Sequence, residues 1–91
     1  MAIRNYRIRV QGKVQGVFFR ASTLRMAQLM NVKGFVRNEE DGSVFIEAEG
    51  EEEMLTKFIQ WCHQGPDNAE VKYVSVTNGD IKNYKAFTII R

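Results

Sequence analysis

Residues 10–22 read VQGKVQGVFFRAS, and the residue types and spacing in that stretch fit the binding of a tetrahedral anion. Gly12 and Gly16 loosen the backbone where a strand gives way to a helix, and a loop entering a helix turns several N–H groups toward one point. The helix N-terminus adds partial positive charge there. Arg20 closes the stretch with a guanidinium whose two parallel N–H bonds match a phosphate, a geometry an ammonium does not supply. The plainer reading is that both glycines only turn the chain and Arg20 is a solvated residue at the helix cap, since glycines are common in strand-to-helix turns.

Such a cradle has to be held by the elements on either side of it. Tyr6, Ile8 and Val10 alternate with Arg7 and Arg9, a period of two that predicts a half-buried strand. From Ser22 the period changes: Thr23, Met26, Ala27 and Met30 fall at i, i+3, i+4 and i+7, one face of a helix that ends near residues 31–34. Residues 35–38 resume as a short strand. The EEDG stretch that follows predicts a hairpin connection, with Asp41-Gly42 supplying positive φ, and Val44, Ile46 and Ala48 then alternate with Phe45, Glu47 and Glu49 as a third strand. Glu51, Glu52 and Glu53 suit the positive end of a helix dipole. Met54, Leu55, Phe58, Trp61 and Cys62 give that helix an apolar face, and Gly65-Pro66 stops it. AEVKYVSVTN and YKAFTIIR are two more strands, separated by the turn-prone Asn78-Gly79-Asp80.

The order βαββαβ with an extra C-terminal strand predicts an α+β fold of the ferredoxin-like type: an antiparallel sheet carrying both helices on one face. In that topology the first and second strands run parallel with the third between them. The loop after the first strand and Asn38 at the end of the second are then neighbours.

Composition sets the class. With 91 residues, 44% hydrophobic and 26% charged, the chain is expected to form one soluble domain over residues 1–91, and any site is a surface cleft or loop. The formal net charge is +2, and the basic and acidic residues are interleaved, so the reading is no nucleic acid. No stretch approaches the roughly 20 apolar residues that span a bilayer and no signal-like run opens the chain, which predicts no membrane and a cytoplasmic location. Cys62 is the single cysteine and His63 the single histidine, which excludes an internal disulfide and argues against a metalloenzyme. As a thiol–imidazole pair these two fail, because adjacent helical residues point about 100° apart. Cys62 is expected in the core and His63 near a helix C-terminus. Glu39, Glu40 and Asp41 lack the spacing of a calcium loop and read as a solvated turn. KGFV, residues 33–36, echoes an RNA-recognition motif with Phe45 exposed beside it, but the long aromatic run such motifs carry on their third strand is missing.

VQGKVQGVFFR and GFVRNEEDGSVFIEAEG together resemble the two signature segments of the acylphosphatase family. Gly12, Val14, Gln15, Gly16, Val17, Phe19 and Arg20 stand at the patterned positions of the first, and Gly34, Phe35, Asn38, Gly42, Val44 and Gly50 at those of the second. The resemblance implies a small hydrolase that splits acyl phosphates into a carboxylate and inorganic phosphate with neither metal nor cofactor. It implies that Arg20 binds the phosphate and that Asn38 orients the attacking water. Phosphate, or sulfate in its place, is the product-like ligand. Substrate-binding backbone is expected from Gln15, Gly16, Val17, Phe18, Phe19 and Arg20. Phe18 stands where the family often has glycine, and a positive φ there would strain a phenylalanine by about 1 to 2 kcal/mol.

Elementary chemistry agrees with that activity. The carboxylate leaving group of an acyl phosphate is already a weak base, so no general acid is required. The transition state is loose and spreads charge over three phosphoryl oxygens, so positioning and electrostatic stabilisation carry the catalysis. A binding module that holds a small anion without turning it over would use the same cradle, but it has no need of Asn38. Neither the physiological acyl group nor the oligomeric state is legible in the sequence.

Overall fold

The computed structural model describes residues 2–91. Its elements are β1 (Ile3–Lys13), α1 (Phe19–Leu29), β2 (Lys33–Asn38), β3 (Val44–Glu51), α2 (Glu52–Gln64), β4 (Glu70–Asn78) and β5 (Phe87–Ile90). They build one five-stranded sheet in the order β4-β1-β3-β2-β5. β3 lies antiparallel between β1 and β2, with Ile8 opposite Ile46 on one side and Val36 opposite Ile46 on the other. The architecture is the expected ferredoxin-like one, with one difference: β5 runs parallel to β2, so the sheet is mixed instead of wholly antiparallel.

The core lies between the helices and one face of the sheet. Ile8, Val10, Val36, Val44, Ile46 and Ala48 project from the strands and meet Ala27 of α1 and Leu55, Phe58 and Cys62 of α2. The period-two pattern of β1 and β3 follows from this, since alternate residues face opposite sides. Burial pushes the Cys62 thiol up to about 12, so it is an inert core residue, and His63 is exposed in the last turn of α2. No helix among the described residues is long and apolar enough to cross a membrane.

Two further expectations are corrected. α1 begins at Phe19, three residues before Ser22, because Phe19 belongs to its buried stripe with Thr23 and Ala27. Phe45 is only 8% exposed. The guanidiniums of Arg37, Arg7 and Arg9 stand 4.9, 5.7 and 5.8 Å from its ring and cover it, so no open aromatic platform exists there.

The chain does not turn tightly after β4. β4 and β5 occupy opposite edges of the sheet, so residues 79–86 run as a strap over the face that carries no helices. Glu47 and Glu49, both buried, pin the strap. Lys82 Nζ donates to Glu47 at 2.7 Å, and the amides of Lys82 and Tyr84 donate to Glu49 at 2.7 and 3.0 Å. Asn5 Nδ2 bridges the two carboxylates at 3.1 and 3.0 Å.

Candidate active site

Gly12 turns out to serve the sheet. β1 continues through it to Lys13, and its φ of +132 marks an irregularity in the pairing with β4, where an added Cβ would fall 2.1 Å from the Glu70 carbonyl. The loop proper is residues 14–18. Gly16 supplies its sharp turn at φ +73, in open space where only the backbone angle demands glycine. Phe18 follows at φ 62 and ψ 27, left-handed, and forms the N-cap of α1 without a side-chain cap bond.

The loop then sorts its side chains. Val14, Val17 and Phe19 are buried in the core, and Phe19 packs its ring 5.4 Å from Trp61 of α2. Phe18 instead points out, 79% exposed. With its apolar side chains anchored inward, the loop leaves the amides of residues 15–21 without a hydrogen bond to any described protein atom; the first amide of the helix to find one is that of Ser22, donating to the Phe18 carbonyl at 3.0 Å. A run of unpaired amides at the N-terminus of an 11-residue helix is an anion cradle.

Asn38 reaches the same place from the end of β2. The connection beyond it closes through Glu39 N–H donating to the Ser43 carbonyl at 2.8 Å, with positive φ at Gly42 alone. Asp41 accepts from the Ser43 hydroxyl and amide, bonds that hold its carboxyl below the ordinary value, and Glu39 pairs with Arg37 and Arg9. The acidic turn is therefore committed to structure. Gln15 ties loop to hairpin: its Nε2 donates to the carbonyls of Glu39 at 2.8 Å and Ser43 at 2.9 Å. That double bond across the gap fixes the distance between the cradle and Asn38.

The result is a cleft of about 340 Å³ lined by Gln15, Gly16, Phe18, Phe19, Arg20 and Asn38 of the sequence-derived set. Val17 is absent from the lining, its side chain being in the core. Ala21, Ile89 and Arg91 also line it, and sequence reasoning missed them. Ala21 follows Arg20 directly and only the helix start identifies it. Ile89 and Arg91 arrive because β5 pairs with β2, a contact with no local signal. Arg20 is half-buried and enters none of the ion pairs among the described residues, which leaves its guanidinium for a ligand. Asn38 Oδ1 is buried and accepts no hydrogen bond from them either. No histidine, aspartate or glutamate lines the cleft, and no group of three or more metal-binding side chains occurs among the described residues.

Residues 6–89 match the acylphosphatase family model. An acylphosphatase of Thermotoga maritima is 49% identical over 83 residues, 91% of this chain and 92% of that one. The crystal structure of acylphosphatase from Bacillus subtilis superposes with a TM-score of 0.94 at 35% identity, over 99% of this chain and 100% of the other. A crystal structure of full-length HypF in the phosphate- and nucleotide-bound form superposes with a TM-score of 0.89 at 32% identity, over 99% of this chain and 12% of that one.

Proposed function

The chain belongs to the acylphosphatase family and is a hydrolase acting on acyl phosphates, and on that premise we propose that the cradle amides and Arg20 hold the phosphoryl group while Asn38 positions the attacking water. The observation that carries this reading is the convergence, in one cleft, of a run of unpaired amides, a free guanidinium and a buried amide oxygen without a protein donor. Asn38 Oδ1 accepts a hydrogen bond from the water and aims its lone pair at phosphorus, opposite the acyl oxygen. As the new P–O bond forms, the P–O bond to the acyl group breaks and its electron pair leaves on the carboxylate. An asparagine is too weak a base to take the water's proton. With no imidazole or carboxylate side chain in the lining, the proton passes to a phosphoryl oxygen, and the dianionic substrate leaves as a carboxylate and dihydrogen phosphate.

Arg20 and the amides meet charge as it spreads over the equatorial oxygens, which is where preorganised donors act most strongly. The leaving carboxylate needs neither an acid nor a cation, and the lining offers no carboxylate, imidazole or thiolate side chain to ligate one, so the reaction proceeds without a metal. Inorganic phosphate, the product, and sulfate occupy the same cradle; the likeness to HypF in a phosphate-bound form supports that. A single domain over residues 1–91 and a cytoplasmic location complete the reading.

The test measures phosphate release from acetyl phosphate and from an alkyl phosphate monoester, each with and without EDTA. Acetyl phosphate is hydrolysed at a rate EDTA leaves unchanged, and the monoester, whose alkoxide needs protonation, is nearly inert. Rates that collapse with EDTA and return with magnesium would refute the metal-free mechanism. Equal turnover of the monoester would refute the account of the leaving group.

A further inference from the structure

A phosphate, with four oxygens of about a water's volume each, roughly 30 Å³, fills about a third of a 340 Å³ cleft. Besides the cradle backbone, Arg20 and Asn38, the cleft is lined by the apolar side chains of Phe18, Ala21 and Ile89 and by Arg91. Phe18 is anomalous there on two independent counts. It holds a left-handed backbone, φ 62 and ψ 27, that glycine adopts freely and a bulky residue resists. Its ring is 79% exposed, more than that of any other exposed large hydrophobic side chain among the described residues, so burial does not offset the strain. Neither backbone preference nor packing accounts for a phenylalanine at this position. A strained residue at a functional cleft is kept for what it touches.

We propose that Phe18 determines specificity for the acyl half of the substrate: while its amide faces the phosphoryl group, its ring stacks against the acyl substituent. The preferred substrates are then acyl phosphates with an aromatic or extended apolar acyl group, which Phe18 and Ile89 flank. This rests on the acyl-phosphate reading above and adds the recognition of the group that leaves.

The experiment compares kcat/KM for benzoyl phosphate and acetyl phosphate in the wild type, Phe18→Asn and Phe18→Tyr. Asparagine tolerates the left-handed backbone but removes the ring, and tyrosine keeps it. Taking each variant's benzoyl-to-acetyl ratio relative to wild type cancels the intrinsic reactivities of the two substrates. The ratio falls about 3- to 10-fold in Phe18→Asn, the range of an aromatic pair, and is retained in Phe18→Tyr. An unchanged ratio in Phe18→Asn, or an equal fall in both variants, overturns the proposal. Should Phe18→Asn fail to fold, Phe18→Gly, which the backbone favours, carries the same comparison. Failure of the wild type to hydrolyse either compound would instead overturn the acyl-phosphate reading itself.

Discussion

Replacing Gln15 tests whether the distance between cradle and hairpin matters. In Gln15→Ala the two bonds from Nε2, at 2.8 and 2.9 Å, are lost together. Each is worth about 0.5 to 1.5 kcal/mol net. Both carbonyls keep one backbone donor, Glu39 N–H on Ser43 and Gly42 N–H on Glu39, so neither becomes a wholly orphaned acceptor. The expected cost is therefore about 1 to 2 kcal/mol, in the lower part of the summed range. For a domain of this size that lowers Tm by about 5 to 15 °C. Because the brace spans the site, kcat falls as well, with the cradle no longer held against Asn38. Gln15→Glu is the sharper variant, since it sets a carboxylate against two carbonyl oxygens. The side chain then either takes up a proton or swings out, so Gln15→Glu loses more activity than Gln15→Ala at neutral pH and regains part of it on acidification. Thermal denaturation followed by circular dichroism, with kcat and phosphate inhibition at several pH values, reads both effects. If Gln15→Ala melts with the wild type and turns over normally, the brace does not position the site.

Arg20→Ala weakens inhibition by phosphate and depresses kcat together, and Arg20→Lys does not rescue it, because one ammonium cannot reproduce the guanidinium fork. Asn38→Ala cuts kcat by about 10²-fold or more yet leaves phosphate inhibition nearly unchanged; a large loss of phosphate affinity with normal turnover at saturation would make Asn38 a binding residue. Trp61→Ala costs about 2 kcal/mol, below the 3 to 5 of a fully buried aromatic, because Trp61 is only partly buried. Its ring packs at a tilt against Phe19, so the phosphate inhibition constant rises too, and an unaltered constant in a destabilised variant would show that the cradle does not depend on that contact. Burial opposes ionisation of Glu47 and Glu49, but bonds from Lys82 and Asn5 to the first, and from Asn5 and the strap amides to the second, outweigh it, and both carboxyls titrate below their ordinary 4.5. Their contribution to stability is thus complete above that value and lost as pH falls through the lowered folded one. Wild-type Tm stays level from pH 7 to about 5 and drops at lower pH, whereas the Glu47→Gln, Glu49→Gln double variant starts lower and has a flatter acid limb; parallel curves for the two would exclude these carboxylates as the cause.

Local periodicity and turn chemistry, both properties of neighbouring residues, made most of this protein legible from its sequence. The alternation at residues 6–10 and 44–49, the apolar face of residues 54–62 and the stop at Gly65 all appear as strands and helices in the structure. The nearness of the loop and Asn38 followed from handedness alone, because parallel strands with a third between them bring their C-terminal ends to one edge. What the sequence left undecided depends on residues far apart in the chain. The site of β5, parallel to β2 at the far edge, carries Ile89 and Arg91 to the cleft, and no pattern in YKAFTIIR signals that Phe87 pairs with Gly34. Gly12 reads as a loop glycine until the approach of Glu70 shows it to be a sheet glycine. Alternation sets Glu47 and Glu49 on the face of β3 opposite Ile46 and Ala48, and they are buried there because a strap from the other end of the chain crosses above them. In each case local sequence specifies the element, and only the tertiary fold decides which distant segment meets it.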